Sequence, residues 1–360
     1  MKFVLFGFFL SMCCLVGGYA QTSSCAQTLR LARSTYEQGR LHEIPGLLEN
    51  CLNAGRNGFN EQERIDALKI LTLTYIYLEE PQKADQAMLQ LLDTDHFYEV
   101  NENVDPAEFV ALFRTFRTDP VFSIGLKFGA NATYPTATKN YFVGANARNK
   151  GEYSPGINIQ YGLSFEKELF GKGSKWIAAP EIISSNHSFG YANESLTISD
   201  KTGEAYSFID GNFKQSRLDL NLLVQYKLYK EEDPIAKPRF YLLFGAGPSL
   251  LLKYTAQIET QLPLEGSVVT GPGIDMKDTY HTMDYNGWLG GGVKFKFGDI
   301  YLNADVRYKH GFKNLSNGGM RSNPEAVFDY GFVSNDIRQS SVMVNIGFIY
   351  PYFIPKKILK

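Results

Sequence analysis

The five histidines are the first place to look for catalysis in this sequence, because imidazole is the commonest acid–base group and metal ligand. They are His42, His96, His187, His281 and His310, and no two share the HExxH spacing of a zinc site. Two of them have serine and aspartate neighbours in sequence: His187 and His281, near Ser185, Ser188, Asp278 and Asp284. These residue types could form a hydrolase site with a serine nucleophile, a histidine base and an orienting aspartate. Ordinary surface histidines explain them equally, so we predict no catalytic, cofactor or metal site.

Composition narrows the class of protein further. The chain has 360 residues, 44% hydrophobic residues, a net charge of −2 and a mean hydropathy of −0.22. A near-neutral chain has no basic excess with which to neutralise phosphates, which argues against a nucleic-acid partner. The 22 tyrosines, 26 phenylalanines and 33 glycines are typical of a β-barrel with an aromatic-rich wall.

The first twenty residues have the features of an export signal. Lys2 precedes an apolar run from Phe3 to Val16, followed by the small residues Gly18 and Ala20 at the positions before a cleavage site. The run is too short for a membrane-spanning helix, which needs about 20 residues. We therefore predict a signal peptide over residues 1–20, which removes Cys13 and Cys14.

Two cysteines remain after cleavage, Cys25 and Cys51. An even pair in an oxidising, exported compartment predicts a disulfide bond. A lipid-anchor reading of Cys25 is the alternative, but Thr22-Ser23-Ser24 is a poor lipobox.

Residues 21–118 have helical periodicity and predict two helical hairpins that resemble tetratricopeptide units, with breaks at Gly39-Arg40 and Glu80-Pro81. We expect the groove and packing positions of this module to be Tyr36, Tyr75, Tyr77 and Ala84. A third helix follows, with an apolar stripe of Phe109, Leu112, Phe113 and Phe116. This stripe could pack on the hairpins or lie at a membrane interface as an amphipathic helix. Both readings stay open at this point.

From Val121 the hydrophobic period changes to two, and eight alternating segments follow. The stretch 217–228 is the clearest, since Leu218, Leu220, Leu222, Val224, Tyr226 and Leu228 alternate with mainly polar residues. Only Leu223 breaks its polar row. Long connections at about 135–152, 192–211, 257–280 and 314–336 alternate with short ones near 171–174, 230–237 and 298–299. This pattern predicts an eight-stranded antiparallel transmembrane barrel over residues 119–353, with a basic periplasmic tail at 354–360.

The polar row carries charges of both signs on nearly every strand. We predict that they fill the lumen as paired ions: Lys127, Glu166, Glu181, Arg217, Asp219, Lys227, Asp284, Lys294, Lys296, Asp305, Arg307 and Lys309. A soluble eight-stranded barrel would share the alternation but would turn its apolar row inward. The loop pattern and the export signal favour the membrane barrel.

The segments "SIGLKFGANAT", "PGINIQYGLSFEKEL" and "WLGGGVKFKFGDIYLNADVRY" give residues 121–350 a resemblance to the PorT-like outer-membrane β-barrels of the Bacteroidota. The resemblance implies an outer-membrane location and, for some members, a role in type IX secretion or gliding.

These observations together predict an α+β multidomain protein: a small α-helical module and an eight-stranded outer-membrane barrel. We expect a non-enzymatic envelope protein that contacts outer-membrane lipid and whose periplasmic module docks a partner protein or peptide. A secretion or gliding component and a hydrolase or acyl transferase at the loop mouth are the alternatives.

Overall fold

The computed structural model describes residues 24–141, 151–171, 173–200, 203–229, 237–261 and 268–358. The chain divides into two compact units: residues up to Thr118 with Ile354–Lys360, and Asp119–Phe353. The predicted signal peptide lies outside the described residues and stays a prediction. No helix among the described residues is long and apolar enough to cross a membrane.

The described part of the first unit is helical. Its α-helices are α1 (Ser24–Glu37), α2 (Ile44–Asn53), α3 (Glu61–Tyr77), α4 (Pro81–Thr94) and α5 (Ala107–Phe113), with short 3-10 helices at Leu41–Glu43 and Gly55–Asn57. Asn60 and Glu63 form a capping box at the start of α3, each side chain accepting from the other's backbone N–H at 2.8 and 3.0 Å. Gly39 follows α1 with a φ of +74°, a backbone conformation that glycine adopts without strain.

A disulfide bond joins the start of α1 to the end of α2. Cys25 and Cys51 are bonded with their Cα atoms 5.6 Å apart, which confirms the predicted pair. Both cysteines belong to the core of the helical unit, together with residues such as Leu48, Leu68 and Met88. The bond therefore pins two short helices that bury little apolar surface by themselves.

The C-terminal segment also belongs to the helical unit. The backbone N–H of Arg117 donates to the Lys356 carbonyl at 2.9 Å, and the N–H of Ile358 donates to the Thr115 carbonyl at 2.7 Å. Lys357 Nζ forms a salt bridge with Asp85 at 2.6 Å. The described residues of the segment predicted as a basic tail, 354–358, are thus paired with residues that follow α5.

The second unit is a closed ring of eight antiparallel strands, as predicted. The ring consists of β1 (Phe122–Lys139), β2 (Glu152–Glu168), β4 (Glu181–Asp200), β5 (Gly203–Lys227), β6 (Arg239–Gln261), β9 (Met283–Phe297), β10 (Ile300–Gly311) and β11 (Asp336–Tyr352). Pairing of β1 with β11, from Phe122 opposite Tyr352, closes the ring. We call the rim at Phe122 and Tyr352 the proximal rim and the opposite one the distal rim.

One strand of the ring is interrupted. The predicted third strand, Trp176 to Phe189, begins as β3 (Trp176–Ala178) and continues as β4 after Ala179 and Pro180. β3 pairs with both β2 and β5, so the wall stays continuous. Pro180 has no N–H to give to the ladder, which explains the break at this point. Its carbonyl still accepts from the Phe165 N–H at 3.0 Å.

The outer face of the ring carries an apolar band. Large apolar side chains are exposed at alternate positions: Ile124, Leu126 and Phe128 on β1; Leu163 and Phe165 on β2; Leu220 and Leu222 on β5; Phe240, Leu242 and Phe244 on β6; and Val344, Ile346 and Phe348 on β11. Aromatic rings mark its lower edge at the proximal rim, where Phe122 stacks on Phe165 at 5.4 Å and on Tyr352 at 5.0 Å. A ring of this kind needs an apolar solvent around its wall.

Of the four predicted long connections, the one at 192–211 is strand in the structure and the one at 257–280 is strand in part. β4 runs to Asp200 and β5 starts at Gly203, so the expected loop at 192–211 was wrong. β6 likewise continues to Gln261, with β7 (Val268–Thr270), β8 (Ile274–Asp275) and a 3-10 helix at Lys277–Thr279 beyond it. The connection at 314–336 holds α6 (Pro324–Tyr330), capped by Asn323.

These strand extensions form because the apolar side chains change from the outer face to the inner face of the strands. On β5, the outer face changes from apolar residues up to Leu218 to polar ones at Lys214 and Asn212. The inner face changes from Arg217 and Gln215 to the buried Phe213. Wall residues below the switch face lipid outside, and those above it face water outside and need an apolar core inside.

Candidate functional site

The barrel interior is the most highly charged region of the structure. Ten of the twelve charged residues predicted for the lumen are buried, and all point inside the ring: Lys127, Glu166, Glu181, Arg217, Asp219, Asp284, Lys294, Asp305, Arg307 and Lys309. Lys227 and Lys296 are half-buried. The ten buried residues are five cations and five anions, so their formal charges balance. A balanced interior is a condition for removing these groups from water.

A central cluster joins four of these residues from three strands. Arg307 Nη1 donates to Glu181 at 2.6 Å, and its Nε donates to Asp305 at 2.6 Å. Lys127 Nζ forms a salt bridge with Glu181 and lies 3.4 Å from Asp305. Each cation thus has two carboxylate partners, which offsets the cost of burying it.

A second cluster lies towards the proximal rim. Lys294 Nζ donates to Glu166 at 2.5 Å and to the Gln225 carbonyl oxygen at 2.9 Å. The amide of Gln225 donates to Glu166 at 2.8 Å and closes a three-membered network. Lys227 forms a salt bridge with Glu168 nearer the rim. These contacts fill this part of the lumen with side chains.

A third cluster lies towards the distal rim and contains His187. Lys309 Nζ donates to Asp219 at 2.8 Å, and the Ser185 hydroxyl donates to the same carboxylate at 2.8 Å. His187 Nε2 lies 3.0 Å from the Ser185 hydroxyl, and its Nδ1 lies 2.7 Å from the hydroxyl of Thr133. The structure therefore brings together a serine, a histidine and an aspartate inside the barrel.

The order of these contacts differs from that of a catalytic triad. A triad needs aspartate on one imidazole nitrogen and serine on the other, with the serine proton directed at histidine. Here Asp219 contacts Ser185, and Thr133 occupies the second nitrogen of His187. The His187 side chain is 1% exposed. Of the other residues in the alternative loop-mouth group, Ser188 accepts a hydrogen bond from Asn158 at 2.8 Å and Asp278 is exposed.

Arg217 occupies a distinct position at the top of the charged interior. Its Nε donates to Gln215 at 3.0 Å, and neither terminal nitrogen has a hydrogen-bond partner among the described residues. It lies below the level of Phe213, where the interior becomes apolar. Arg217 thus separates the ionic part of the lumen from the aromatic closure above it.

An apolar core closes the ring at the distal rim. Phe213 stacks on Phe189 at 5.3 Å and contacts Phe332 at the same ring separation, and Tyr254 meets Tyr280 edge-on at 4.4 Å. This distal core also contains Tyr191, Ile209, Leu251, Ala256, Ile258, Ile274, Met276, Leu315, Ala326, Tyr330 and Ile337. The sequence reasoning missed it, although Phe213 and Ile209 alternate with polar neighbours in the printed sequence.

Leu223 breaks the polar row of β5 for a related reason. It packs inside the ring in a small cluster with Ala179, Tyr241, Leu243, Trp288 and Met343. Lys309 Nζ lies 5.0 Å from the centre of the Trp288 ring. Aromatic and aliphatic side chains thus fill the space between the ion clusters.

The residues predicted for the groove of the helical unit lie in different environments. Ala84 is buried, Tyr36 and Tyr75 are half-buried, and Tyr77 is 46% exposed. Burial, followed by the neighbouring Tyr77 on α3, raises the pKa of Tyr36 on α1. Lys83 Nζ lies 5.5 Å from the centre of the Tyr75 ring. The three tyrosines thus contribute to the aromatic surface of this unit, and Ala84 is a packing position only.

The α5 stripe packs inside the helical unit and is not free to lie at a membrane interface. Phe109 and Phe116 are 0% and 1% exposed and belong to the core of this unit. Leu112 and Phe113 pack against the same core. Tyr98 meets Phe109 at 6.4 Å and Phe113 at 6.1 Å between ring centres. The packing alternative is the one that the structure shows, because the stripe belongs to the same core as residues of α3.

Among the described residues, no group of three or more metal-ligating side chains is assembled.

No protein-family model and no curated protein matches the chain. Among solved structures it is similar to Ail, the attachment invasion locus protein of Yersinia pestis, with a TM-score of 0.27, 11% identity and coverage of 64% of this chain and 99% of that one. It is similar to the outer membrane protein OprG of Pseudomonas aeruginosa, with a TM-score of 0.34, 14% identity and coverage of 66% and 98%. The outer membrane protease OmpT of Escherichia coli gives a TM-score of 0.36, 9% identity and coverage of 64% and 96%. Sequence identities and TM-scores this low do not allow a function to be transferred from these proteins to this chain.

The geometry of the chain defines its class. A closed antiparallel ring leaves no free strand edge, which is a requirement for β-structure in lipid. An apolar outer band around a charged, filled interior is the arrangement of bacterial outer-membrane barrels. This chain is therefore an outer-membrane β-barrel protein, located in the cell outer membrane.

Proposed function

We propose that the barrel anchors the chain in the outer membrane and that the helical unit, on the periplasmic side, docks a partner protein or peptide. The filled lumen carries this proposal. Ion clusters occupy its length, and the distal core closes its end. Side chains thus occupy the described part of the interior, which supports attachment as the role of the barrel and interaction as the role of the helical unit.

Chain connectivity supports the periplasmic placement. The helical unit connects to the barrel at Asp119 and at Phe353, next to Phe122 and Tyr352 of the proximal rim. In outer-membrane barrels both chain ends lie on the periplasmic side. The unit's two helical hairpins resemble tetratricopeptide units, which bind extended peptides along stacked helices.

The tyrosines of α1 and α3 are the surface that we propose for docking. Tyr77 is exposed and lies beside the half-buried Tyr36. Tyrosine offers a large contact area with few rotatable bonds and is enriched at protein interfaces. Lys83 lies over Tyr75 and forms a salt bridge with Glu80 at 2.6 Å, which adds a pair of charges beside the rings.

We also propose that the protein is not an enzyme. The one serine–histidine–aspartate group in the described residues directs its serine proton to Asp219, and its histidine is buried. A substrate would have to displace the distal core to reach it. Substituting His187 by alanine is therefore expected to alter barrel stability and no catalytic step.

Site-specific photo-cross-linking in intact cells tests the docking proposal. A photo-reactive amino acid at Tyr77 is expected to capture one periplasmic or outer-membrane protein, and the same residue at the exposed Arg56 is the matched control. Capture should weaken when Tyr36 is replaced by alanine. Equal capture from both positions, or no capture from Tyr77 in a folded barrel, would refute the proposal.

The identity of a captured protein tests whether the chain belongs to a particular envelope complex. The resemblance to PorT-like barrels suggests a component of a type IX secretion or gliding complex. A captured protein outside such complexes would leave the anchoring role intact and remove this refinement.

A further inference from the structure

One part of the surface of the helical unit combines two tyrosines with a glutamate. Tyr36 on α1 is half-buried, and Tyr77 on α3 and Glu108 on α5 are exposed. Both α1 and α5 pack against α3. Burial, followed by the nearby Tyr77 and Glu108, raises the pKa of the Tyr36 hydroxyl. We call these three residues the tyrosine–glutamate site.

The packing of α1 on α3 holds the two tyrosines in place. Both lie in the last turns of their helices. Towards the start of α3, Arg33 on α1 forms a salt bridge with Asp66 at 2.6 Å. Tyr36 also packs against the core of the unit, which fixes its ring beside the exposed Tyr77. A rigid aromatic surface binds a ligand at a low cost in conformational entropy.

The carboxylate of Glu108 has no cation as a partner among the described residues. Most cations on the neighbouring elements are already paired with other carboxylates: Arg33 with Asp66, Arg40 with Glu43, Lys69 with Asp105 and Arg114 with Glu102. Arg30 is exposed on α1, but it precedes Tyr36 by six residues and so lies about 120° away around the helix. Arg64 on α3 donates to the Leu52 carbonyl at 2.9 Å. Glu108 therefore keeps its negative charge beside the two tyrosines.

The helical unit as a whole has a surplus of acidic residues. Residues 24–118 contain fifteen aspartates and glutamates and nine lysines and arginines. Glu37 and Glu79, which are exposed and follow the tyrosines in sequence, form no ion pair among the described residues. In the C-terminal segment of the unit, Lys357 is paired with Asp85 on α4. Because complementary charge steers association, this surface favours a basic partner over an acidic one.

The same unit contains one complete contact between a tyrosine, a cation and a carboxylate. Lys83 Nζ lies 5.5 Å from the centre of the Tyr75 ring and forms a salt bridge with Glu80 at 2.6 Å. The tyrosine–glutamate site provides the aromatic rings and the carboxylate of such a contact. A bound partner can supply the cation.

We propose that the tyrosine–glutamate site holds a lysine or arginine side chain from an extended basic segment of the partner, an inference that rests on the docking role proposed above. A cation over the exposed ring of Tyr77 is attracted by the negative face of that ring. The Glu108 carboxylate adds a charge-assisted hydrogen bond to the same cation. The same negative charge repels an acidic segment.

Peptide binding to the full chain in non-ionic detergent micelles tests the proposal, with affinity read by fluorescence anisotropy. The probes are labelled glycine–serine peptides of equal length that carry several lysines, the same number of arginines, or the same number of glutamates. The test variants are Glu108→Gln and Tyr77→Leu. The matched control is Asp93→Asn, which removes one negative charge from an exposed position on α4.

The lysine and arginine peptides are expected to bind the parent at least about tenfold more tightly than the glutamate peptide. Glu108→Gln should weaken binding of the lysine peptide about fivefold, the upper contribution of an exposed ion pair. Tyr77→Leu should weaken it about threefold through loss of the cation–π contact, and Tyr77→Phe should lose less because it keeps the ring face. Asp93→Asn should bind as the parent does.

Three results would overturn the proposal: equal binding of the lysine and glutamate peptides, an equal loss in Glu108→Gln and Asp93→Asn, or full affinity in Tyr77→Leu. Circular dichroism shows in each case whether the helical unit is folded. If Tyr77 captures a partner in cells and one of these results is obtained, the basic segment is refuted and the docking role stands. If Tyr77 captures nothing, the docking role itself is refuted, and this inference with it.

Discussion

Replacement of Glu181 by glutamine removes one charge from the central cluster and keeps the volume of the side chain. Glu181 accepts hydrogen bonds from Lys127 Nζ and from Arg307 Nη1 and Nη2, the latter two at 2.6 and 3.0 Å. The glutamine leaves two buried cations with Asp305 as their remaining carboxylate. We therefore expect the barrel to lose stability through electrostatics, without a cavity.

The magnitude follows from the environment of Glu181, whose side chain is fully buried. Breaking a buried ion pair by removing one partner costs about 3–5 kcal/mol. Asp305 keeps its contact with Arg307 at 2.6 Å, so we expect the lower end, about 3 kcal/mol. This corresponds to more than a hundredfold change in the folding equilibrium, at about 1.4 kcal/mol per factor of ten.

Urea unfolding of the full chain in lipid vesicles measures this loss. The folded fraction can be read from migration on unboiled gels and from the fluorescence of Trp288, which is buried inside the ring. Glu152→Gln, at an exposed position of β2, is the control and should change the unfolding free energy by less than about 0.5 kcal/mol. Adding Lys127→Gln to Glu181→Gln should restore part of the loss, because it removes a cation that lost its partner.

An unfolding free energy for Glu181→Gln equal to that of Glu152→Gln would refute the reasoning. It would mean that water in the lumen screens these charges, and that the ion clusters contribute little to the barrel. A double variant less stable than the single one would also contradict the proposed pairing of Lys127 with Glu181.

Two further predictions concern the membrane boundary and the disulfide. Leu222→Lys, in the apolar band of β5, should destabilise the barrel by about 2–4 kcal/mol, whereas Asn212→Lys, on the same face beyond Leu218, should have almost no effect in the same urea assay. Replacing Cys25 and Cys51 by serine should cost the helical unit about 3 kcal/mol, seen by circular dichroism as loss of helix at lower urea, with barrel mobility on gels unchanged.

The sequence by itself determined the barrel because period-two alternation reports which face of a strand is apolar. Leu218 to Leu228 predicted a wall strand with one apolar face, and the charges opposite them predicted the composition of the lumen once the connection pattern and the predicted export signal favoured lipid outside. The disulfide could also be predicted from the sequence, since only two cysteines follow the predicted export signal. These features are local, and each can be read from neighbouring residues.

The tertiary structure alone decided how these residues meet. Which carboxylate faces Lys127 depends on the stagger of strands far apart in sequence, and Glu181 and Asp305 come from different walls. The amphipathic stripe of α5 fits a membrane and a protein core equally well, and only packing shows that Phe109 and Phe116 are buried. The distal core looked like loop in the sequence because its turn and strand residues are polar outside. Its inner residues form an apolar core only because several neighbouring strands extend past the apolar outer band and bring these residues together.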